Sequence, residues 1–280
     1  MNLFNKGMYP VLWKIGLYVI TVPIIGIISY PLIWMFYSSL KTRREIFTGP
    51  WQLPGQFRFE HYPQAWQSGE LGGYFLNSIL VTTVSVLTIL AVASMAAYAF
   101  ARLEFWGRDF FFYVFLLGLI LPVQVIVLPL FGLLRDLNLL NTYFALIFPY
   151  ISWGLALSIY ILRSFFKSLP GDIEDAAKID GCSVFGTFWY VMLPMVRPAL
   201  MTVGVLQAVN IWNEFLLALL FIQSQAKMTL PVGLLAFYGY HNIDYPMVFT
   251  ALSIAVIPIL MLYFVFQNYI IEGLTVGAID

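Results

Sequence analysis

The sequence predicts an all-α, polytopic membrane protein with about six transmembrane helices. Hydrophobic residues make up 61% of the 280 positions and charged residues only 10%, whereas soluble proteins average roughly 45–50% apolar and 25% charged residues. Six apolar segments are also long enough to cross a bilayer core about 30 Å thick, which takes roughly 20 helical residues. A chain of this composition cannot bury its apolar side chains as a water-soluble globule.

The six apolar segments follow one another along the whole chain. They are predicted at residues 15–36, 75–100, 110–134, 143–162, 199–221 and 249–271. The first segment is longer than the roughly 7–15-residue core of a signal peptide, and no small-residue cleavage pattern follows it. We therefore expect it to remain as a membrane anchor. Prolines interrupt several segments, which membrane helices tolerate where neighbouring groups satisfy the freed carbonyls.

Charge and cysteine content exclude several classes of function. The chain carries 14 basic and 14 acidic residues, so no basic surface for nucleic acid is predicted. The single cysteine, Cys182, excludes an intramolecular disulfide, and His61 and His241, interpreted as loop residues, have no metal-ligand spacing. No metal, cofactor or catalytic residue is predicted, because no Ser/His/Asp arrangement or pair of carboxylates falls within one segment.

Basic residues near the ends of the segments give only a weak indication of orientation. If the N-terminus is cytoplasmic, the inner ends carry Lys6, Lys14, Arg102, Arg108, Arg163, Lys167, Lys178 and Arg197. The outer ends then carry Lys41, Arg43, Arg44, Arg58, Arg135 and Lys227. This small inner excess favours a cytoplasmic N-terminus, but the basic cluster that follows the first segment opposes it.

Two connecting segments are long enough to have structure of their own. Residues 41–73 are rich in aromatic residues, proline and glycine, and are predicted to form a structured extramembrane loop. Residues 163–198 are predicted to form two short helices outside the membrane core. The first has Asp172 as its N-cap, with Asp175 three residues later, and it stops at Gly181, where a positive φ is allowed.

The predicted first helix of the 163–198 segment has two distinct faces. Ile173, Ala176, Ala177 and Asp180 are spaced to share one face, and Glu174 and Lys178 occupy another. A second helix begins at the cap residue Ser183, has a bulky apolar face and is broken by Leu193-Pro194. Its apolar face is formed by Phe185, Phe188, Trp189 and Met192. From this pattern alone, the pair could equally rest on lipid headgroups.

The run Asp-Ala-Ala-Lys-Ile-Asp-Gly-Cys-Ser at 175–183 resembles the "EAA" cytoplasmic loop of binding-protein-dependent ABC importer permeases. Other stretches resemble the maltose and multiple-sugar branch, with inner-membrane subunits of the MalG type. They lie at 38–41, 77–78, 97–102, 121–122, 212–215 and 272–278. Asp175 stands where the family usually has Glu, and Cys182 stands where Ala is common. Both departures conserve size or charge.

The resemblance implies a MetI-like permease, with residues 1–280 as one transmembrane domain in a bacterial or archaeal cytoplasmic membrane. It implies that 41–73 is extracytoplasmic and that 163–198 is a cytoplasmic coupling loop that docks on an ATPase. The implied coupling residues are Glu174, Asp175, Ala176, Ala177, Asp180 and Gly181. The implied partners are a second homologous permease, an ATPase dimer, an extracytoplasmic solute-binding protein, a sugar and membrane lipid.

The chain itself has no recognisable nucleotide site. Residues 181–186 have the glycine spacing of a P-loop, but Thr187 replaces the lysine that reaches the phosphates, and no predicted strand precedes them. We therefore expect a non-hydrolytic subunit.

An ion-coupled secondary carrier is the main alternative, because such carriers also use intramembrane carboxylates and broken helices. A membrane-embedded enzyme is a third hypothesis, for which the sequence supplies no candidate acid, base or nucleophile.

A polar stripe runs along the fifth apolar segment. Gln207, Asn210 and Glu214 are spaced at i, i+3 and i+7, with Trp212 and Asn213 beside them. Glu214 lies about 23 Å along the helix from Ala199, and an ionisable group at such a depth normally faces a bundle interior or an aqueous cavity. The stripe either clamps neighbouring helices or lines a translocation path for sugar. Weaker candidates for the same cavity are Gln124, Tyr150, Ser152 and Tyr160.

Overall fold

A computed structural model describes residues 8–68, 70–237 and 243–276. His241 and the end of the 272–278 motif lie outside these residues. The described elements are α1 (Met8–Ser38), α2 (Arg43–Thr48), α3 (His61–Ser68), α4 (Leu71–Arg102), α5 (Arg108–Leu117), α6 (Val123–Asp136), α7 (Phe144–Ser168), α8 (Gly171–Ile179), α9 (Val184–Gly186), a π-helical turn (Thr187–Met192), α10 (Leu193–Met195), α11 (Arg197–Trp212), α12 (Leu216–Phe221), a 3-10 turn (Gln225–Lys227), α13 (Leu230–Gly233), a second 3-10 turn (Leu234–Phe237) and α14 (Tyr245–Val276).

The predicted all-α membrane architecture is confirmed. Within the described residues, four helices are long and apolar enough to cross a membrane. They are Gly16–Ser38, Leu71–Arg102, Phe144–Ser168 and Tyr245–Tyr269, and they match the first, second, fourth and sixth predicted segments. A fifth crossing is possible if Val184–Met195 and Arg197–Trp212, which meet at 75°, form one bent span.

The third and fifth predicted segments are each broken, not continuous. The third is divided into α5 and α6, and the break ends at Pro122, whose missing N–H cannot continue a helical ladder. The fifth is divided into α11 and α12 around residues 213–215. Broken helices at membrane depth occur where the freed backbone is buried in protein or lines a cavity, so both breaks indicate places where a functional cavity can form.

The chain divides into two compact units, one from Met1–Gly69 and Ala236–Ile254 and the other from Glu70–Leu235 and Ala255–Asp280. The second unit has its core between α4 and α7, where small residues allow close approach of the helices. A Cβ atom at Gly154 of α7 would lie 2.5 Å from Cδ1 of Ile89 in α4. Any larger residue at this crossing would require the Ile89 side chain to shift, so α7 packs closely against α4 here.

The 41–73 segment belongs to the first unit and is structured, as predicted. Thr42 caps α2 with a capping box to Glu45. Lys41 is fully buried, and its Nζ donates to the carbonyl oxygens of Gly49 (3.1 Å) and Pro50 (3.0 Å) at the end of α2. Burial lowers the pKa of Lys41. His61 is not a loop residue: it begins α3, and its Nδ1 lies 2.8 Å from the Ser39 carbonyl oxygen.

Candidate translocation cavity and coupling loop

A cavity of about 300 Å³ opens between α7 and α11 in the second unit. Its walls are formed by Leu119, Tyr150, Trp153, Gly154, Leu157, Gln207, Asn210, Ile211 and Glu214. The three stripe residues therefore face one cavity, as their spacing predicts, and Tyr150 faces the same space. Trp153 was not singled out by the sequence analysis, although its position three residues after Tyr150 places the two on one helical face.

Glu214 lies in the break between α11 and α12, not on a continuous helix. Its Oε2 accepts a hydrogen bond from the Tyr150 hydroxyl at 2.6 Å and one from the Ala218 backbone N–H at 3.3 Å. Its Oε1 accepts a hydrogen bond from the Leu217 backbone N–H at 2.8 Å. Hydrogen bonds to a carboxylate are stronger than neutral ones. Glu214 therefore holds the start of α12 and joins it to α7.

Gln207 acts as an interhelical clamp. It is only 4% exposed, and its Nε2 donates to the Gly154 carbonyl at 3.2 Å and to Ser158 Oγ at 3.1 Å, both on α7. Asn210, one turn further along α11, is exposed to the cavity. The two alternatives for the stripe thus apply to different residues: the geometry favours the clamp for Gln207 and the path for Asn210.

Trp212 and Asn213 do not line the cavity that contains Glu214. The Trp212 indole is buried, and its Nε1 donates to the Ala255 carbonyl of α14 at 3.1 Å. The Asn213 amide bonds back to the Val209 carbonyl of its own helix at 2.9 Å. Trp212 is two residues from Asn210 and so points away from it, whereas Asn213 is the C-cap of α11 and turns its amide back on its own helix. Their role in a sugar path stays a prediction.

The weaker candidates also separate in the structure. Ser152 lies on a second, largely apolar cavity between α6 and α7. Gln124 and Tyr160 are exposed and do not line the cavity that contains Glu214. Of the four weaker candidates, only Tyr150 lines the same cavity as the stripe residues.

The predicted start of the first loop helix is wrong. Pro170 is the N-cap of α8, so Asp172 lies within the first turn and makes no capping hydrogen bond. The extended backbone of Pro170 (ψ 137°) ends the preceding connection and lets the helix begin at Gly171. Asp172 and Glu174 then place negative charge in the first turn, where the helix dipole favours it.

The predicted end of α8 is confirmed. Gly181 has φ +82°, and the Cys182 N–H donates to the Ala177 carbonyl while the Gly181 N–H donates to the Lys178 carbonyl, each at 3.0 Å. This pair of bonds is the Schellman motif, which needs a left-handed residue and favours glycine. The chain therefore turns sharply between the two loop helices.

The faces of α8 differ from the prediction. Glu174 and Ala177 are buried, whereas Ala176 and Asp180 are exposed with Asp175. The cause lies beneath the helix: Tyr98 donates to Glu174 Oε1 at 3.1 Å, so this carboxylate has a partner inside the protein. The outward face of α8 consists of Asp175, Ala176, Ile179 and Asp180, with Gly181 at its end.

The second loop helix begins as predicted and ends later. Ser183 Oγ accepts a hydrogen bond from the Gly186 N–H at 3.1 Å, which confirms the cap. The helix then widens into the π-helical turn and continues past Pro194 to a break at Val196. Pro194, which has no backbone N–H, comes just after the π-helical turn, at whose end the Leu193 N–H donates to the Phe188 carbonyl, and the chain stays helical to Met195. On its predicted apolar face, Phe188 and Met192 are buried, whereas Phe185 and Trp189 remain exposed.

Long apolar helices, two broken segments beside cavities and an exposed short-helix loop are typical of a membrane-transport subunit. Residues 89–276 match the family described as binding-protein-dependent transport system inner membrane component, and the chain belongs to this family. It is therefore a membrane-embedded permease subunit of a transport system that works with a binding protein.

Several permease proteins are similar to most of the chain. It is 38% identical over 252 residues to a probable ABC transporter permease protein of Bacillus subtilis (90% of this chain, 84% of the relative). It is 39% identical to a diacetylchitobiose uptake system permease protein of Streptomyces coelicolor (90% and 84%). It is 38% identical to a trehalose/maltose transport system permease protein of Thermococcus litoralis (89% and 91%).

The fold is also that of a solved transporter subunit. A chain of a bacterial ABC transporter involved in the import of the acidic polysaccharide alginate superposes with a TM-score of 0.80. The match covers 95% of this chain and 99% of the other, at 23% sequence identity. At this level of identity the comparison shows a shared fold.

Proposed function

We propose that this chain is one of two permease subunits of an ATP-driven sugar importer in a prokaryotic cytoplasmic membrane. Its partners are a second homologous permease, a dimer of separate ATPase subunits that hydrolyse the ATP, and an extracytoplasmic solute-binding protein that delivers the sugar. The relatives whose names specify a substrate support the sugar class, since they are permeases for diacetylchitobiose and for trehalose or maltose.

The cavity lined by Asn210, Glu214, Tyr150 and Trp153 carries this proposal. Ligand sites combine apolar and aromatic walls with a few placed polar groups that fix orientation. Here the Asn210 amide and the Tyr150–Glu214 pair supply hydrogen-bonding groups for sugar hydroxyls. The half-exposed Trp153 ring supplies a flat apolar surface for the C–H face of a pyranose.

The two structured loops fit opposite roles in such an importer. The 163–198 segment is assigned to the cytoplasmic side, where the outward face of α8 meets the ATPase. The 41–73 segment is assigned to the extracytoplasmic side, which the binding protein approaches. The segment assigned to coupling includes the last turns of α7, because this helix continues from Arg163 to Ser168 before the loop turns at Leu169.

The test is reconstitution of the permease with its partner permease, ATPase dimer and binding protein in proteoliposomes. We expect uptake of the labelled sugar that loads the binding protein to require ATP on the ATPase side and to persist when ionophores collapse all ion gradients. An ATPase variant that binds but cannot hydrolyse ATP provides the control. Uptake without the ATPase that disappears with the ionophores would establish the ion-coupled carrier instead.

A further inference from the structure

A buried polar cluster joins α8 to the ends of α4 and α7. Glu174 is 8% exposed. Its Oε1 accepts the Tyr98 hydroxyl proton at 3.1 Å, and its Oε2 lies 3.9 Å from Arg102 Nε. Arg102 also donates to the backbone carbonyls of Phe166 and Leu169 at the end of α7. Tyr98, Arg102 and Glu174 are named here the loop latch.

Aromatic packing supports the loop latch from the other loop helix. The Tyr98 ring lies 5.6 Å from the Phe166 ring and 5.3 Å from the Phe188 ring, between centroids. All three rings are buried. Phe188 belongs to the π-helical turn, so both short helices of the loop are fixed at one point on α4 and α7. Close-packed clusters of this kind shift as units because protein interiors deform little.

Stability alone does not explain a buried carboxylate at this position. Well-packed apolar residues can replace buried ion pairs without loss of stability, whereas a pair that loses one partner is strongly unfavourable. An ionic and hydrogen-bonded link therefore holds α8 in one geometry relative to α4 and α7. Directional bonds of this kind fix the position of α8 along α4 and α7, whereas an apolar contact, which has no preferred direction, would let the helix slide.

We propose that the loop latch transmits movement of the ATPase-bound loop to α4 and α7 and so couples ATP hydrolysis to opening of the translocation cavity. This inference rests on the proposed docking of α8 to the ATPase. The outward face of α8 meets the partner, and Glu174, as a positioning residue, passes the displacement inward. The same helix α7 carries Tyr150 and Trp153, and Tyr150 lies about 24 Å along the helix from Phe166.

Two conservative variants test the loop latch in the complete complex with its partner permease, ATPase dimer and binding protein. Glu174→Gln removes the charge that faces Arg102, and Tyr98→Phe removes one hydroxyl while keeping the ring in the aromatic cluster. We expect both complexes to retain the ATPase and to hydrolyse ATP, but to transport at least ten-fold less sugar per ATP consumed. Asp136→Asn, which also replaces a carboxylate by an amide but at an exposed position at the end of α6, is the matched control and should keep the wild-type ratio.

A distance measurement separates transmission from a merely structural role. Lys167 on α7 and Lys178 on α8 are both exposed. Each is replaced by cysteine and spin-labelled, in a protein that carries Cys182→Ala so that the native cysteine is not labelled. We expect one narrow distance distribution with and without ATP when the loop latch is intact, and a broadened distribution in Glu174→Gln and Tyr98→Phe. The proposal would be overturned if either latch variant kept the wild-type ratio of sugar transported to ATP consumed, or if the distance distribution between the labels were unchanged in both variants.

Failure of the loop latch is distinguishable from failure of the proposed function. If Asp175→Lys, on the outer face of α8, leaves the ATPase bound and transport normal, the docking itself is overturned. If Asp175→Lys releases the ATPase while Glu174→Gln keeps full coupling, only the loop latch is overturned. Loss of the ATPase from both latch variants would also overturn it, because the cluster would then serve only to hold the docking surface.

Discussion

Asp175→Lys is expected to abolish uptake by releasing the ATPase from the permease. Asp175 lies on the outer face of α8, its side chain is 70% exposed, and it forms a surface ion pair with Lys178 at 3.2 Å. Such a pair contributes only about 0.3–0.5 kcal/mol to stability, so insertion and folding should be unaffected. Charge reversal instead places repulsion where the proposed docking surface requires an acidic group.

The measurement for Asp175→Lys is the amount of ATPase that remains with the permease pair after purification, together with uptake in proteoliposomes. We expect both to fall at least ten-fold. Asp136→Lys is the matched control, since the Asp136 side chain is 68% exposed and paired with its neighbour Arg135. It should behave as wild type. Full ATPase retention and full uptake in Asp175→Lys would show that α8 serves only as an interfacial anchor.

Glu214→Ala is expected to eliminate uptake through loss of the cavity wall. Its carboxylate accepts hydrogen bonds from the Tyr150 hydroxyl and from the backbone N–H groups of Leu217 and Ala218. Each buried donor left without an acceptor costs roughly 1–3 kcal/mol, so the start of α12 should shift away from α7. Sugar uptake and thermal stability of the purified complex are the two measurements.

Two further substitutions distinguish the role of Glu214, which lines the cavity, from that of its neighbour Asn213, which does not. Glu214→Gln keeps the shape and one acceptor oxygen, so we expect normal assembly with uptake reduced at least ten-fold. Asn213→Ala should transport as wild type, because the Asn213 amide bonds only within α11 in the described contacts. If Glu214→Gln prevents assembly with the second permease, Glu214 is a clamp between helices and not part of the sugar path.

The long apolar helices were predictable because length and hydropathy alone determine them. Residues 71–102 and 144–168 are continuous apolar runs, and nothing elsewhere in the chain alters that reading. The two breaks required more information. Pro122 signalled one of them in the sequence, whereas at the other break the Glu214 carboxylate is bound by Tyr150, 64 residues earlier, which the local sequence does not indicate.

The inward turn of Glu174 could not be predicted from the loop alone. Periodicity placed this glutamate with Lys178 on a different face from Ile173 and Ala177, and an acidic residue on a short amphipathic helix is normally solvated. Its partner Tyr98 is 76 residues away, at the end of α4. The Ala-Tyr-Ala-Phe-Ala-Arg stretch at 97–102 was recognised only as a family-like motif, and the structure supplies a physical reason for it, since Tyr98 and Arg102 hold the loop.

Trp212 and Asn213 were predicted beside the stripe, and the structure places neither on the wall of the cavity. Trp212 is only two residues from Asn210 and so points elsewhere. Asn213 is three residues from Asn210, but it is the C-cap of α11 and its amide bonds back to the Val209 carbonyl. The three stripe residues, spaced three or four positions apart, face the cavity in spite of the break. A residue that is adjacent in sequence to a polar stripe therefore need not line the same cavity.

Site-specific photo-cross-linking at Ile179 tests the docking of the coupling loop most directly. Ile179 is 87% exposed on the outer face of α8, so a photoreactive residue there keeps the fold intact. In the assembled importer we expect Ile179 to capture the ATPase subunit, while the same residue at Trp51, 72% exposed in the 41–73 segment, does not. Capture of lipid alone at Ile179, or capture of the ATPase from Trp51, would contradict the assigned coupling surface and its cytoplasmic placement.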